Sequence, residues 1–399
     1  MVTQTAQPAS ATGGQAPVAA SSMAFRANTQ RTIKRPGVAL SAAMTAAPVP
    51  LADTQIPPTT LLRCIYLEVT VVTAANAATV VFQPDAPLNI FSTVNFHDAQ
   101  GTSIVGSFDS FALAMAQKWF GFTNNSDVVE SAVYSATPGV GGGLGGSATM
   151  VFRIPVEVVS RTGVGSQINT DTQSPLVLSL TVNSSSAVYA TAPTTLPTVT
   201  TVISYGGYWN QSGNPNSFAT PTAVGTLNYV NWTNYTGLAG QQQFQLANIG
   251  LGNAVANILF MNRATSGLAR SDADFANPLQ VAYRGNVLGQ WSQLLWKHIM
   301  SEAYDFGNPI QDSGIGANAG AASLTTGVGL GVSLNQGVYN LWFNDDFTFD
   351  PGNTLFYSLL NTAVGDSIEL TGSWAVSSTL YEIINFLAVS GPVSAIQGH

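Results

Sequence analysis

Charged side chains are scarce in this chain of 399 residues. Asp, Glu, Lys and Arg make up 8% of it, against roughly 25% in a typical globular domain. A monomer with so few charges would have a poorly protected surface. We infer that much of its surface is buried against other copies of the chain. A secreted or β-rich protein that relies on Ser, Thr and Asn for solubility is the alternative.

Cysteine is almost absent too. Cys64, within LLRCIYLEV, is the one cysteine, so an internal disulfide cannot form and no disulfide framework supports the fold. Its apolar neighbours predict a buried and unreactive thiol.

Long uncharged apolar runs are also missing. The most apolar stretch, residues 61–82, contains Arg63 and Glu68 and alternates as strands do, so we expect no membrane-spanning segment. The N-terminal residues lack the apolar core of a secretory signal, so none is expected.

Motifs for catalysis or zinc binding are absent from the sequence. His97, His298 and His399 do not form an H-x-x-x-H or H-E-x-x-H pair, which argues against a zinc site. The chain has no G-x-S-x-G elbow and no G-K-[ST] phosphate loop. A Ser-His-Asp triad assembled from distant residues stays open. Because the zinc, nucleophile and phosphate-loop motifs are all missing, we predict no enzyme activity and no cofactor.

Two local patterns have a functional and a structural interpretation. Residues 141–146 fit G-x-G-x-x-G as a string, but a strand-like segment follows where the dinucleotide motif needs a helix, so a loop is favoured. Asp345, Asp346 and Asp350, in NDDFTFDPGN, could hold a calcium ion. Asp350-Pro-Gly-Asn is equally a turn signal.

Basic residues are concentrated near the N-terminus. Four of the twelve, Arg26, Arg31, Lys34 and Arg35, lie in RANTQRTIKRPG, although the chain has a net charge of −8. We expect this arm to contact an anionic surface. A solvated tail and a contact with a genome are the alternatives. The remaining eight basic residues are too sparse to predict sequence-specific nucleic-acid binding.

Short β-branched segments bounded by turn residues predict strands throughout the rest of the chain. In the first half they are TTLLRCIYLEVTVVT, ATVVFQ, NIFSTVNFHD, ATMVFRIPVEVVS, PLVLSLTVNS and TVTTVISYGGYW. After a break at residues 210–225 come QQQFQLANIG, NAVANILFMNR, GVYNLWFN, NTLFYSLL, SIELTGSWAVSS and YEIINFLAV.

One helix is expected in each half. In residues 107–120, Phe111, Met115 and Trp119 share a face, and Ser107 or Asp109 can cap the start. The second helix is predicted over residues 286–304, with Trp291 buried on its apolar stripe and Trp296 facing a neighbouring domain or subunit. The other members of that stripe are Val287, Leu294, Leu295 and Ile299.

Each half thus reads as strands, a helix and more strands, which predicts an all-β protein of two tandem jelly-roll β-barrels with a few short helices. The expected spans are a basic, mostly extended or flexible arm (1–48), a first jelly roll (49–212), a second jelly roll (213–391) and a C-terminal tail (392–399).

This layout resembles the double jelly-roll major capsid proteins of tailless internal-membrane phages, the tectivirus type. The segments that carry the resemblance match in apolar pattern and turn placement. They are FQPDAPLNIFSTVNFHDAQG (82–101), QQQFQLANIGLGNAVANILF (241–260), LNQGVYNLWFND (334–345) and DSIELTGSWAVSSTL (366–380). The Gly-rich loops at 137–147 and 313–331 depart from that pattern.

The resemblance implies a structural protein of the virion. Three copies would form a pseudo-hexagonal capsomer of an icosahedral shell around an internal membrane, with neighbouring capsomers, vertex proteins and minor capsid proteins as partners. The basic arm would face anionic lipid. Two alternatives remain: a secreted or surface β-sandwich that binds glycans as an adhesin, and a hydrolase built on a β-sandwich.

Overall fold

The computed structural model describes residues 29–34, 39–58, 60–74, 79–120, 132–137, 145–157, 166–169, 174–210, 228–246, 254–264, 270, 272, 274–303, 336–343, 360–361 and 367–387. Strands dominate these residues and the helices are short, so the all-β prediction is confirmed.

The first half contains fourteen of the described strands in two sheets and a small ribbon. One sheet has the order β1-β14-β5-β10-β9, with β2 also on β14 and β11 also on β5. Its strands are β1 (Thr29–Lys34), β2 (Ala39–Ala43), β5 (Thr60–Val72), β9 (Ser135–Ala136), β10 (Ala148–Pro155), β11 (Gln167–Asn169) and β14 (Thr198–Asn210).

The facing strands belong to the second sheet, which continues into the other half of the chain. Here β12 is central, with β7 and β8 on one side and β3 and β4 on the other, while β6 pairs with β13. These strands are β3 (Val49–Pro50), β4 (Thr54–Ile56), β6 (Val81–Phe82), β7 (Phe91–His97), β8 (Ser103–Phe108), β12 (Leu176–Val182) and β13 (Tyr189–Thr191). The short helix α2 (Ser185–Val188) precedes β13.

Alternation along β5 places its apolar side chains in the core. Ile65, Leu67, Val69 and Val71 are buried, while the residues between them are partly or fully exposed. This period of two is the pattern of a strand with one face against a core. It is the reason why the segment was predictable from sequence.

The helix α1 (Ser110–Trp119) forms where the sequence predicts it. Asp109 caps its start by accepting a hydrogen bond from Ala112 N at 2.7 Å. Phe111, Met115 and Trp119 are buried as predicted, but so is every other residue of the helix. The helix is therefore enclosed on all sides and is not a surface helix with one apolar stripe.

The second half is arranged around its longest strand, β21. β21 pairs with β17 from Ile368 to Gly372, with β16 from Ser378 to Leu387, and with β15 along most of its length. β16 and β17 thus pair with different parts of β21, and all of these strands belong to one sheet. The strands are β15 (Asn228–Gln245), β16 (Ala254–Ala264), β17 (Leu279–Tyr283), β18 (Asn286–Trp291), β19 (Val338–Trp342), β20 (Leu360–Asn361) and β21 (Ile368–Leu387).

The predicted helix at 286–304 is wrong in its first third. Asn286–Trp291 is strand β18, and helix α3 runs from Gln293 to Ala303. Arg284 and Gly285 form a two-residue hairpin between β17 and β18, with φ of 50° and 77°. Positive φ at both positions is what the type I′ hairpin turn requires. The strand pairing with β17 thus overrides the helical spacing of the apolar residues.

The expected helix face is wrong as well. Trp296 and Met300, four residues apart, are buried, whereas Leu294 is 85% exposed and Val287 and Leu295 are exposed too. Trp296 packs edge-on against Phe260 at 6.1 Å between ring centroids, and its indole Nε1 donates to Asn340 O at 2.8 Å. The core residue is therefore Trp296, and Trp291 is only half-buried.

Parts of the predicted arm belong to the first sheet. β1 pairs with β14 from Thr29↔Asn210 to Lys34↔Tyr205, and β2 pairs with the same strand further along. The proposed boundary at 212/213 and the tail at 392–399 lie outside the described residues. The four spans stay a prediction.

Replacing Trp296 with Ala should lower the free energy of unfolding by about 3–5 kcal/mol, because it empties a core site between several aromatic rings. Urea denaturation followed by circular dichroism measures this. Leu294→Ala is the matched control on the exposed face of the same helix, and its effect should stay within about 0.5 kcal/mol. Equal losses in the two variants would contradict the assigned helix face.

Candidate functional site at the interface between the halves

Four charged side chains meet in the interior between the two halves. Arg263 Nη2 lies 2.8 Å from Asp85 Oδ2, Arg263 Nη1 lies 3.0 Å from Asp109 Oδ2, and Arg270 Nε lies 2.8 Å from Asp85 Oδ1. Both carboxylates come from the first half and both guanidinium groups from the second. We call these four residues the interface ion cluster.

Local structure holds each member of the cluster in place. Asp85 lies in the turn between β6 and β7, and Asp109 is the N-cap of α1. Arg263 stands near the end of β16, and Arg270 forms an isolated β-bridge with it. The cluster therefore joins the cap of one helix and one turn to a single strand end of the other half.

The interface ion cluster is neutral in sum and nearly dry. The side chains of Asp85 and Arg270 are fully buried, and those of Arg263 and Asp109 are 6% and 14% exposed. Burial works to lower the pKa of Arg263, yet Asp109 and Asp85 raise that pKa above its usual range. Because each buried charge has an opposite charge in contact, the cluster avoids the penalty of a lone buried ion.

Aromatic rings complete the contact around the arginines. The guanidinium carbon of Arg270 lies 4.3 Å from the Phe111 ring centroid, and that of Arg263 lies 5.0 Å from the Tyr381 centroid. Tyr381 stacks on Trp232 at 5.1 Å, and Trp232 meets Phe108 edge-on at 6.3 Å. Cation–π contacts of this kind are strongest where water is excluded. They reinforce the ion pairs at the same place.

Backbone contacts join the halves as well. Asn340 Nδ2 donates to the carbonyl of Trp119 at 3.2 Å. β15 and β8 run parallel, with Val230 opposite Val105, so one sheet extends through both halves. The two halves are thus joined by ion pairs, rings and a strand pairing at once.

The predicted basic arm is only partly within the described structure. Arg31 and Lys34 lie on β1, and Arg31 is exposed opposite Tyr208. Arg26 and Arg35 lie outside the described residues. None of the four belongs to the interface ion cluster.

A second buried ionic group lies next to Arg31. Arg63 Nε and Arg153 Nη2 lie 2.5 and 3.3 Å from Glu157 Oε1, and the Tyr208 hydroxyl donates to Oε2 at 2.6 Å. Burial raises the pKa of Glu157, while Arg63, the Tyr208 hydrogen bond and Arg153 oppose that rise. Arg63 and Arg153 are thus basic residues near Arg31 that the prediction of a basic arm did not include.

The structure brings a serine, a histidine and an aspartate together, but not as a catalytic triad. Ser179 Oγ donates to Asp53 Oδ1 at 2.6 Å and lies 3.2 Å from His97 Nε2, and His97 Nδ1 lies 2.8 Å from the carbonyl of Asp98. In a triad the serine donates to the histidine, and the histidine donates to the carboxylate. Here the Ser179 hydroxyl donates its hydrogen bond to the Asp53 carboxylate and not to His97, so the histidine does not activate the hydroxyl.

The structure describes only some of the other sequence candidates for chemistry. Among the described residues no group of three or more His, Cys, Asp or Glu could hold a metal ion. Asp345, Asp346 and Asp350 lie outside those residues, as do Gly141–Leu144 of the Gly-rich string. The predicted strand after that string is β10, and Cys64 is buried as expected. None of the described helices has the length and apolarity needed to cross a membrane.

Comparison with known proteins finds similarity in structure but none in sequence. No protein family matches the sequence, and no curated protein is similar to it. The fold is similar to that in the atomic structure of Sulfolobus Turreted Icosahedral Virus, with a TM-score of 0.56, 13% identity, and coverage of 92% of this chain and 96% of that one. It is also similar to the major capsid protein P2 from Bacteriophage PM2, with a TM-score of 0.53, 8% identity, and coverage of 91% and 98%.

The chain has the double jelly-roll fold of viral major capsid proteins. A crystal structure of the STIV major capsid protein also matches 90% of this chain and 97% of its own, with a TM-score of 0.55. Both halves take part, since the matches cover nearly the full length of each chain. The fold prediction is thereby confirmed.

The double jelly roll exposes apolar side chains on both halves. Val287, Leu288, Leu294 and Leu295 lie within nine residues on β18 and α3, and we call them the 287–295 patch. The first half exposes Ile33, Val72 and Trp209. Clustered exposed apolar residues are typical of protein contact surfaces.

Replacing Arg263 with Met should destabilise the protein by about 3–5 kcal/mol, because Asp85 and Asp109 lose a buried countercharge. Chemical denaturation at neutral pH measures the loss. Arg284→Met, on the exposed hairpin, is the control and should change stability by less than about 0.5 kcal/mol.

Proposed function

We propose that this protein is a major capsid protein whose trimers form the pseudo-hexagonal capsomers of an icosahedral virion shell around an internal membrane. The observation that carries the proposal is the match of both halves, over at least nine-tenths of each chain, to major capsid proteins. The low charge content supports it, because extensive contacts between copies need few surface charges.

The interface ion cluster favours a rigid two-part building block. Ion pairs, ring contacts and the β8–β15 pairing tie the halves into one unit. Three such units in a closed ring present six similar barrels. That is the geometry that a pseudo-hexagonal tile needs, and it supports the trimer within the proposal.

The position of the exposed apolar residues favours a ring-closing contact. A heterologous interface joins two different surfaces of the same chain. The second half offers the 287–295 patch, and the first half offers Ile33 and Trp209, which both lie within the β1–β14 pair. Contact between these two surfaces on neighbouring copies would bury both sets in an interface of more than roughly 2,000 Å².

A structural role, without enzymatic activity, is part of the proposal. The Asp53–Ser179–His97 chain has its hydrogen bonds in the wrong order for a nucleophile. We place the protein in the capsid, with neighbouring capsomers, vertex proteins and minor capsid proteins as partners. The spans 1–48, 49–212, 213–391 and 392–399 are proposed as arm, two jelly rolls and tail.

Electron microscopy and light scattering of the purified protein test the assembly. Three chains of 41.6 kDa give a particle of about 125 kDa, and we expect hexagonal trimers or shells. Leu294→Asp should leave the melting temperature unchanged and weaken the trimer, because it places a charge in the apolar contact. Val376→Asp, an exposed position outside the 287–295 patch, should leave the trimer intact. A monomer that binds glycans would favour the adhesin instead.

The basic arm is proposed to contact anionic lipid of the internal membrane. Each Lys or Arg near anionic lipid contributes about 1 kcal/mol, so four give at most roughly 4 kcal/mol. One copy would hold weakly, whereas many copies on one shell would hold firmly by avidity. β1 pairs the backbone of Arg31 and Lys34 with β14, so this part of the arm is held on the sheet, and Arg31 is exposed there.

Changing Arg26, Arg31, Lys34 and Arg35 to Gln should abolish salt-sensitive binding to anionic vesicles without affecting trimer formation. Vesicle co-sedimentation at low and high salt measures the binding. Arg284→Gln, an exposed basic residue of the second half, serves as control and should bind like the unaltered protein. The membrane role is wrong if the fourfold variant binds these vesicles equally well at low salt.

A further inference from the structure

Glu382 is buried in the second jelly roll, and among the described residues no cation contacts it. Its residue exposure is 0%, and in the part of the chain that the structure describes its one hydrogen-bond partner is Tyr235, whose hydroxyl donates to Oε2 at 2.7 Å. Its other oxygen, Oε1, is buried and has no donor. Two other buried carboxylates of this chain, Asp85 and Glu157, each contact guanidinium groups.

A second orphaned oxygen lies on the same face of the sheet. Phe260 on β16 stands directly opposite Glu382 on β21, and Asn262 is two residues further along β16. Residues offset by two on adjoining strands share a face and lie within reach of long side chains. Asn262 Oδ1 is also buried, and it has no donor among the residues that the structure describes.

The orientation of the Asn262 amide follows from its other contact. Ser378 Oγ donates to the carbonyl of Val376 at 3.1 Å, so its hydroxyl proton is already used. Asn262 Nδ2 donates to that same Ser378 oxygen at 3.3 Å. The amide therefore presents its NH2 group to Ser378, and Oδ1 is left as an acceptor.

Glu382 Oε1 and Asn262 Oδ1 are thus two buried acceptors at diagonal positions on one face of the sheet, and one proton shared between them would satisfy both. An ionised Glu382 could not satisfy Asn262, because a carboxylate only accepts hydrogen bonds. A protonated Glu382 could donate from Oε1 to Asn262 Oδ1 while Oε2 still accepts from Tyr235. The run Tyr235–Glu382–Asn262–Ser378–Val376 then has a donor for every acceptor.

We propose that Glu382 is a neutral acid in the folded protein and that its proton, shared with Asn262, makes the second jelly roll a pH-sensitive element whose stability falls as the pH rises from mildly acidic to mildly alkaline. This inference does not depend on the capsid role.

Among the described residues of the neighbouring strands, no charged group faces Glu382 that could replace this proton. On β15 the facing groups are Thr233 and Tyr235, and on β16 they are Phe260 and Asn262. Arg263, next to Asn262, points to the other face and contacts Asp85 and Asp109. Burial raises the pKa of Glu382 to about 8, and the hydrogen bond from Tyr235 opposes that rise.

The direction of the pH effect follows from proton counting. An unfolded chain releases this proton near the ordinary Glu pKa, whereas the folded chain keeps it up to about 8. Between these values the folded state binds more protons, so stability falls as the pH rises. The unfolding equilibrium constant should increase by up to about tenfold per pH unit in that window.

Urea denaturation of the full chain and of Glu382→Gln, at about pH 5.5 and about pH 8.5, tests the proposal. Gln reproduces both hydrogen bonds of the neutral acid and cannot ionise. Because about pH 5.5 already lies above the ordinary Glu pKa, we expect the variant to be somewhat more stable than the unaltered protein there, and the difference to widen strongly at about pH 8.5. A variant that is less stable than the unaltered protein at pH 5.5, or one that shows the same pH dependence, would overturn the proposal.

Tyr235→Phe is the matched control, since it removes the donor to Oε2 and leaves the shared proton in place. It should destabilise the protein while a decline with rising pH remains. Infrared difference spectra give an independent readout. The unaltered protein should lose the carbonyl band of a protonated carboxyl between about pH 6 and pH 9, and Glu382→Gln should lack that change. Absence of the band in the unaltered protein would also refute the neutral acid.

Discussion

The ion cluster between the halves constrains the rest of this molecule. Asp85 and Asp109 are buried on the first half, and Arg263 and Arg270 are buried on the second. Neither pair could stay dry without the other, because a buried charge without a partner is strongly unfavourable. The two barrels therefore depend on each other, and the helix α1, capped by Asp109, is enclosed between them.

Scarcity of charge explains why the buried charges matter so much. In a chain with only 8% charged residues, a charge inside an apolar segment has a specific reason to be there. Arg263 interrupts the apolar strand β16, and Glu157 lies two residues beyond the end of β10, beside Arg63 and Arg153. Glu382 differs, because a hydroxyl and an amide surround it instead of a cation. The low content of charged residues suits contacts between copies. It also leaves Glu382 without a cationic partner among the described residues, so that its own proton stabilises it.

The limits of sequence reasoning are clearest at residues 286–300. The apolar residues there have helical spacing, yet Asn286–Trp291 forms a strand because β17 offers a pairing edge and Arg284-Gly285 makes the tight turn. Helix α3 then begins later and buries Trp296 instead of Trp291. Periodicity reports which residues could share a face, but the neighbouring strand decides whether a helix or a hairpin forms.

The sequence by itself determined the strand-rich character, the two similar halves, the start of α1 at Asp109 and the inert Cys64, because these follow from alternation, capping and composition within short segments. Only the tertiary structure decided the partners of the buried charges. Asp85 and Arg270 are 185 residues apart, and Arg63 and Glu157 are 94 apart. No local pattern encodes such a pairing, since it depends on how the sheets curl and on which strand ends meet. Arg31 and Lys34 likewise belong to a sheet and not to a free arm, because β14 supplies the backbone partners of their strand.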